Sequence, residues 1–378
     1  MAAALAAAAA LLAAPGSASA AAPLTVATGG IGVSWATLPT STGTYAITRA
    51  SKARKQIVRV TRVGAAGVSA APAPAIEPQT RLSTALSEDG TAPCMGAMVK
   101  DSPYVACLQG DAWVERRFSG AARTRVLLDI ERYGASLYAY LADGDPGVFS
   151  GSHPERFKLP TSLVRWDGAA WVPVVARYDL SLKHLASALP CSPQDAPLCA
   201  TPLFQTVRTG SPKISVEHLE GSAFVADSRG FGQRKHDTAI GAGVSFGDRL
   251  ALPVFSSGKV DALTVLTDST APARIRVATI FGTYADAILA FAGGRPWIAW
   301  TDYFYFDKQE TRGLVVGRAA PLDLATGTAG PATEVYSEAF KNLPSSVDIH
   351  DVDGLPYAEH VVHGAGADTL VLTPLPVS

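Results

Sequence analysis

The 378-residue chain is poor in most residues that advertise a metal centre or a glycoprotein. It has four cysteines, seven histidines, three methionines and a single asparagine, Asn342, which Leu-Pro follows, so no N-glycosylation sequon exists. Charge is sparse and balanced, at 17% of residues and a net of -1. Proteins that neutralise phosphates carry a strong basic excess, so nucleic acid and electrostatic attachment to a membrane surface are not expected. Long apolar runs are missing too. Beyond Ala2 to Ala14, nothing nears the roughly 20 residues a bilayer-spanning helix needs, so no membrane insertion is expected.

That opening run is informative in itself. Residues 1–22 are almost entirely Ala and Leu and close on Gly16-Ser17-Ala18-Ser19-Ala20, a small-residue stretch with an A-x-A cleavage signal. The segment reads as a signal peptide, although the usual leading Lys or Arg is absent. A secreted, periplasmic or cell-surface location follows, and the Ala-rich, Asn-poor composition suits a GC-rich bacterial genome. About 355 residues remain, read as one domain over 23–378 and as a monomer.

Four cysteines at two short spacings in an exported chain point to local disulfides, Cys94 with Cys107 and Cys191 with Cys199. A turn at Lys100 to Pro103 would lay two short strands side by side and bring the first pair of sulfurs together, contributing roughly 3 kcal/mol in the chain-entropy model. The second pair brackets a Pro-rich loop. Free buried thiols are the alternative; neither spacing is the C-x-x-C of zinc or thioredoxin-like sites.

From Thr44 onward one rhythm repeats. Four to eight apolar, β-branched or aromatic residues are followed by a turn of Gly, Asp, Pro or Ser, then by another such run. Paired runs include 104–108 with 113–118, 126–130 with 137–142, 250–255 with 260–266, 288–292 with 297–300, and 357–362 with 369–372. Only 179–189 has helical spacing, with Leu182, Leu185 and Leu189 on one side. The run Trp297, Ile298, Ala299, Trp300 places large apolar groups on both faces of a strand, so both faces need cover. With no helices to supply it, sheet must pack on sheet.

A degenerate repeat accompanies the rhythm: a Gly or Asp turn and then an apolar strand entry, at Gly43, Asp101, Gly134, Gly221, Gly247, Gly293 and Gly354. The widest interval reads as a double one, hiding a further unit around Trp166 to Val175. With these features the chain resembles β-propellers of the sialidase-like and Kelch-like kind, from about residue 30 to the end. The resemblance implies an all-β fold of four-stranded antiparallel sheets. At roughly 45 to 50 residues per blade the length gives seven, while six or eight also fit.

Motifs that could carry chemistry lack their contexts. Gly243-Val244-Ser245-Phe246-Gly247 matches G-x-S-x-G, but a strand pattern follows it where a nucleophile elbow needs a helix. The sialidase resemblance implies an Asp-box; Ser87-Glu88-Asp89-Gly90 places its glycine one position early and no Trp follows. Asp348, Asp351 and Asp353 before Gly354 offer a calcium turn without EF-hand spacing, and Ca²⁺ is the only cofactor the sequence suggests. His360 and His363 fall on opposite faces of a strand, against joint ligation. The pairs Trp166/Trp171 and Trp297/Trp300 read as packing.

Recognition is expected in long polar loops. The cationic, aromatic stretch 227–237, with Arg229, Phe231, Arg234, His236 and Asp237, and the aromatic stretch 302–309, with Tyr303 and Tyr305, are the candidates. The function expected is binding of a glycan, peptide or protein partner at one rim of the channel, without catalysis. The alternative is a secreted glycoside hydrolase or lyase using paired carboxylates at the central channel.

Overall fold

The computed structural model describes residues 22–28, 31–52, 55–80, 82–143, 159–180, 187–188, 204–208, 214–226, 231, 234–239, 244–246, 249–257, 261–267, 274–280, 285–307, 312–341, 347–363 and 368–377. Strands account for nearly all regular structure, with one 3₁₀ turn at Gly120–Thr124 among the described residues. The chain opens with β1 (Leu24–Thr28). Sheet one follows as β2 (Ile31–Thr40), β3 (Gly43–Lys52), β4 (Lys55–Gly64) and β5 (Gly67–Ala71). Sheet two is β6 (Ser83–Leu86), β7 (Pro93–Val99), β8 (Ser102–Gln109) and β9 (Ala112–Glu115). Sheet three is β10 (Val126–Tyr133), β11 (Ser136–Ala142), β12 (Leu159–Trp166) and β13 (Trp171–Leu180). Sheet four is β14 (Ser187–Ala188), β15 (Phe204–Arg208), β16 (Ile214–Glu220) and β17 (Ala223–Ala226).

Sheet five comprises β18 (Asp237–Ala239), β19 (Val244–Phe246), β20 (Arg249–Ser256), β21 (Ala262–Thr267) and β22 (Arg274–Thr279), with β18 and β19 both pairing β20. Sheet six comprises β23 (Ala285–Ala292), β24 (Arg295–Tyr305), β25 (Arg312–Asp323), β26 (Thr328–Ala329) and β27 (Thr333–Lys341). The last sheet has β28 (Asp348–Val352), β29 (Leu355–His363) and β30 (Asp368–Pro374), and its fourth strand is β1. Antiparallel pairing sets Leu24 against Leu372 and Thr28 against Thr369, with one bulge between Thr25 and Ala27. The two ends of the chain thus complete one sheet. The seven sheets described follow one another in sequence, and the shared sheet joins the last to the first, the arrangement of a β-propeller.

Six apolar layers between neighbouring sheets are described, at the junctions one–two, two–three, three–four, five–six, six–seven and seven–one. β24 shows why. Ile298 and Trp300 pack toward sheet five while Trp297 and Ala299 pack toward sheet seven, and all four are at most 1% exposed. A strand apolar at successive positions therefore has a neighbour on each side. All five strand pairs read from the sequence occur.

Six of the turn anchors mark six sheets, one to each, though not at equivalent turns, and Gly247 lies outside the described residues. Gly43, Gly134, Gly293 and Gly354 lie at first hairpins, Asp101 at a second and Gly221 at a third. That inequality, with long connections in sheets three and four, produces the wide interval. No further unit hides there: Trp166 to Val175 is the β12–β13 hairpin of sheet three. Of the stretch 179–189 with helical spacing, Asp179 and Leu180 end β13 and Ser187–Ala188 form β14, while Leu182, Leu185 and Leu189 lie outside the described residues.

Cys94 and Cys107 stand opposite each other in β7 and β8, form a disulfide and are fully buried. Cys191 and Cys199 lie outside the described residues. The hairpin turns on Lys100 and Asp101, with φ of 49° and 58°. Positive φ at both central residues is the type I′ pattern that suits strand twist and favours Asn-Gly. Left-handed backbone costs an ordinary side chain roughly 1–2 kcal/mol per residue.

Sheets two and three approach closely at Gly96 on β7. A Cβ there would sit 2.8 Å from Leu127 Cδ2 and Ser83 Oγ and 3.1 Å from Ile130 Cγ2. Gly96→Ala is therefore expected to destabilise the protein by about 1–3 kcal/mol through overpacking. Urea denaturation checks this; a midpoint equal to the native one would mean that the layer has slack.

Candidate functional site

Alternating strand direction sends two kinds of connection to the same face of the ring. These are the hairpins between second and third strands and the links from each sheet's last strand to the next sheet's first. On this face, between sheets one and two, opens a groove of about 1390 Å³. Arg49 and Lys55 come from β3 and β4, residues 73–79 from the link between the sheets, and Lys100 from the β7–β8 turn. Tyr104, Glu115, Arg117, Phe118 and Arg123 complete the far wall.

The link is shaped by its prolines, Pro72, Pro74 and Pro78, each fixing φ near −65° and giving up a backbone donor. Several bonds dock it, among them three to main-chain carbonyls. Trp113 Nε1 donates to the Pro72 carbonyl at 2.7 Å, Gln79 N to the Met98 carbonyl at 2.8 Å, and Arg49 Nη1 to the Thr80 carbonyl at 2.9 Å. Behind the far wall, Phe118 stacks on Trp171 at 4.7 Å and Trp171 packs edge-on against Trp166 at 5.5 Å. Both tryptophans are buried, so the pair supports the groove from the core.

Five cationic side chains, Arg49, Lys55, Lys100, Arg117 and Arg123, face two carboxylates, Glu77 and Glu115. Arg117 and Glu115 approach to 3.4 Å, but their side chains are 83% and 41% exposed, so water and salt screen the pair. Tyr104 has its phenol pushed up by burial and by Glu115. A concave surface of one prevailing sign raises the local concentration of counter-charged ligand. In a chain of net charge -1, the excess is local.

No family model and no curated protein matches the chain. Several solved structures are similar to it over most of its length. BamB from Moraxella catarrhalis is 11% identical, with 93% of this chain and 100% of that chain covered and a TM-score of 0.45. A fungal lectin from Aleuria aurantia, described as a six-bladed propeller with a fucose recognition mode, is 10% identical, with coverages of 81% and 97% and a TM-score of 0.44. Polysaccharide lyase Uly1 is 9% identical, with coverages of 92% and 90% and a TM-score of 0.44. No ligand or activity transfers at that level of likeness.

The residues singled out in the sequence lie away from the groove. Phe231 is 4% exposed and packs against Leu250, Leu252 and Val254 of β20 and Leu266 of β21. Asp237 is buried in a fork with Arg274 at 2.7 and 3.1 Å, and also accepts from Ser256 Oγ and Arg234 N at 2.7 Å. Burial opposes its charge, but these donors outweigh it and hold its carboxyl below the usual range. Arg234 and His236 are exposed, and Arg229 lies outside the described residues. From Asp302 to Tyr305 the stretch is the end of β24 rather than a loop, and Phe306 beyond it is exposed. Tyr303 is buried against Val315 and Tyr305 is half-buried.

The three aspartates of the calcium reading take separate partners. Asp351 accepts from the backbone N–H of Gly293 at 2.8 Å and of Gly354 at 2.7 Å, and Asp353 accepts from Ala65 N at 2.8 Å. Asp348 turns instead toward His350, at 3.8 Å. No metal-binding cluster of three or more such groups occurs among the described residues. Ser245 lies within β19, His360 is buried with its ring stacked on Tyr336, and His363 pairs with Asp368 on the surface.

Two acidic clusters went unread in the sequence, both hidden among apolar strand residues. Asp129 and Glu131 share the face of β10 that looks toward sheet four, across from Tyr140 and Tyr138. Burial pushes the Asp129 carboxyl up to about 7, and burial with the Asp129 charge drives Glu131 well above the carboxylate range. At the ring-closing junction, His350 lies 3.5 Å from Glu359, whose other partner is the Thr37 hydroxyl of sheet one. Burial opposes a charged imidazole, but Glu359 and Asp348 outweigh it and raise His350 to about 9.

These shifts fix the sign of two pH effects. A histidine raised from 6.5 to about 9 contributes stability that is complete below about pH 6.5 and lost as pH rises through 9. His350→Gln is thus expected to destabilise by on the order of 2–3 kcal/mol at pH 6, the gap closing by pH 10; urea titrations across that range test it. Folded Asp129 keeps a proton that the unfolded chain releases between pH 3.8 and about 7, so its contribution to stability falls with pH over that window. Asp129→Asn should therefore gain thermal midpoint relative to the native protein from pH 4 to pH 7, and a constant difference would contradict the assignment.

Proposed function

We propose that the protein is an exported β-propeller that binds an acidic polysaccharide in the groove between sheets one and two, without catalysis there. The observation that carries this reading is the five-to-two excess of cations in a groove of about 1390 Å³. Exposed ion pairs contribute only about 0–1 kcal/mol each, so useful affinity requires several anions regularly spaced on one ligand. A polyuronate or sulfated glycan supplies them. Export rests on the signal-like first 22 residues and on the Cys94–Cys107 disulfide, since disulfides persist in oxidising compartments.

Isothermal titration with polygalacturonate at low and high salt tests the reading, with neutral dextran and polyglutamate as comparisons. Binding should fall as salt shortens the Debye length below about 10 Å. Loss of two contacts in an Arg117→Ala/Arg123→Ala variant should weaken it about tenfold. Equal affinity for dextran, or no effect of the double substitution, overturns the proposal; tighter binding of polyglutamate would assign the groove to acidic peptides. A second reading, a glycoside hydrolase or lyase, draws on the proton-holding pair Asp129 and Glu131 on an innermost strand. It requires turnover of a glycan that Glu131→Gln abolishes without loss of groove binding.

A further inference from the structure

Lys100 occupies a position that suits another residue. The chain makes comparable two-residue turns with Gly293-Gly294, φ 58° and 75°, and with Asp353-Gly354, φ 52° and 79°. Both place glycine where the backbone is left-handed. At the β7–β8 turn the residues are Lys100 and Asp101, with no glycine at either position. Asp353 and Asp101 each have a reason to be there, because their carboxylates are bonded to neighbouring segments. Asp353 accepts from Ala65 N, and Asp101 accepts from Gln79 Nε2 at 3.0 Å. Lys100 makes no such bond among the described residues, is exposed, and lines the cationic groove.

The turn is also held from several sides. Gln79 grips it reciprocally, its Oε1 accepting from Asp101 N at 2.7 Å, and Gln79 N donates to the Met98 carbonyl at 2.8 Å. Further down the hairpin the buried Cys94–Cys107 disulfide ties the two strands together. A strained residue fixed by its surroundings is a pointer to function. A backbone already fixed also loses little freedom when its side chain meets a ligand, unlike a lysine on a free loop.

We propose that Lys100 is the specificity-determining cation of the groove, its ammonium meeting a carboxylate or sulfate of the acidic glycan. The inference rests on the groove's reading as an acidic-glycan site. The test measures thermal midpoint and polygalacturonate affinity together in Lys100→Gly, Lys100→Asn and Lys100→Arg variants, with Lys235→Ala as a surface control outside the groove. Lys100→Gly and Lys100→Asn relax the turn and should raise the midpoint by about 1–3 °C, yet weaken binding by about fivefold or more, the loss of one desolvated contact. Lys100→Arg should keep affinity within about twofold of native, as should Lys235→Ala. A Lys100→Gly protein that binds as tightly as native overturns the inference. If the Arg117/Arg123 double variant still binds weakly, the groove reading survives that failure; if it too binds like native, both fall together.

Discussion

Sheets that are apolar on both sides must be covered on both sides, and among the described residues it is other sheets that do it. That requirement forces the sheets into a closed succession, since any open end would leave an apolar face in water. Closure falls to the pairing of β1 with β30 and to the layer of Val26, Ala46, Val63, Val352, Tyr357, Val361, Leu370 and Leu372 beneath it. The positions of the groove, of the linking segment 72–80 and of the strained hairpin follow from that arrangement. Each is a connection left over once the strands have found their neighbours.

Polar groups caught at the junctions show how the same constraint shapes electrostatics. His350 and Glu359 face sheet one at the closing junction, where burial strengthens their attraction while penalising either charge alone. Asp129 and Glu131 lie between tyrosines and sheet four, where burial, with no cation among the described residues to offset it, pushes both carboxyls up. Asp302, paired with Arg318, is still pushed up because burial outweighs the guanidinium. The sign of each shift thus depends on whether an opposite charge lies across the junction and on how far burial opposes it.

Much of the fold was legible because period-two patterns and turn residues are local. Trp297 to Trp300 announced cover on both faces, and Cys94 with Cys107 announced a hairpin. The groove was not legible: its cations lie on separate segments between Arg49 and Arg123, which only the packing of two sheets brings together. Phe231, Asp237 and Tyr303 look like ligand contacts in sequence, but an aromatic or a charge beside a strand serves equally well to fill or to lock a junction. Asp129 and Glu131 passed unnoticed because two acids in an otherwise apolar strand carry no motif.

The shared last sheet makes the first strand wait for the last. β1 is formed from residues 24–28, whereas its partner β30 spans 368–374, so almost the whole polypeptide separates them. During synthesis from the amino end, residues 24–28 emerge long before residues 368–374 and stay unpaired until those arrive. Contacts so distant form late, because the entropy of closing the chain is met before they reward it. An unpaired edge meanwhile remains open to foreign strands, and a chaperone that shields it would have its greatest effect on this segment.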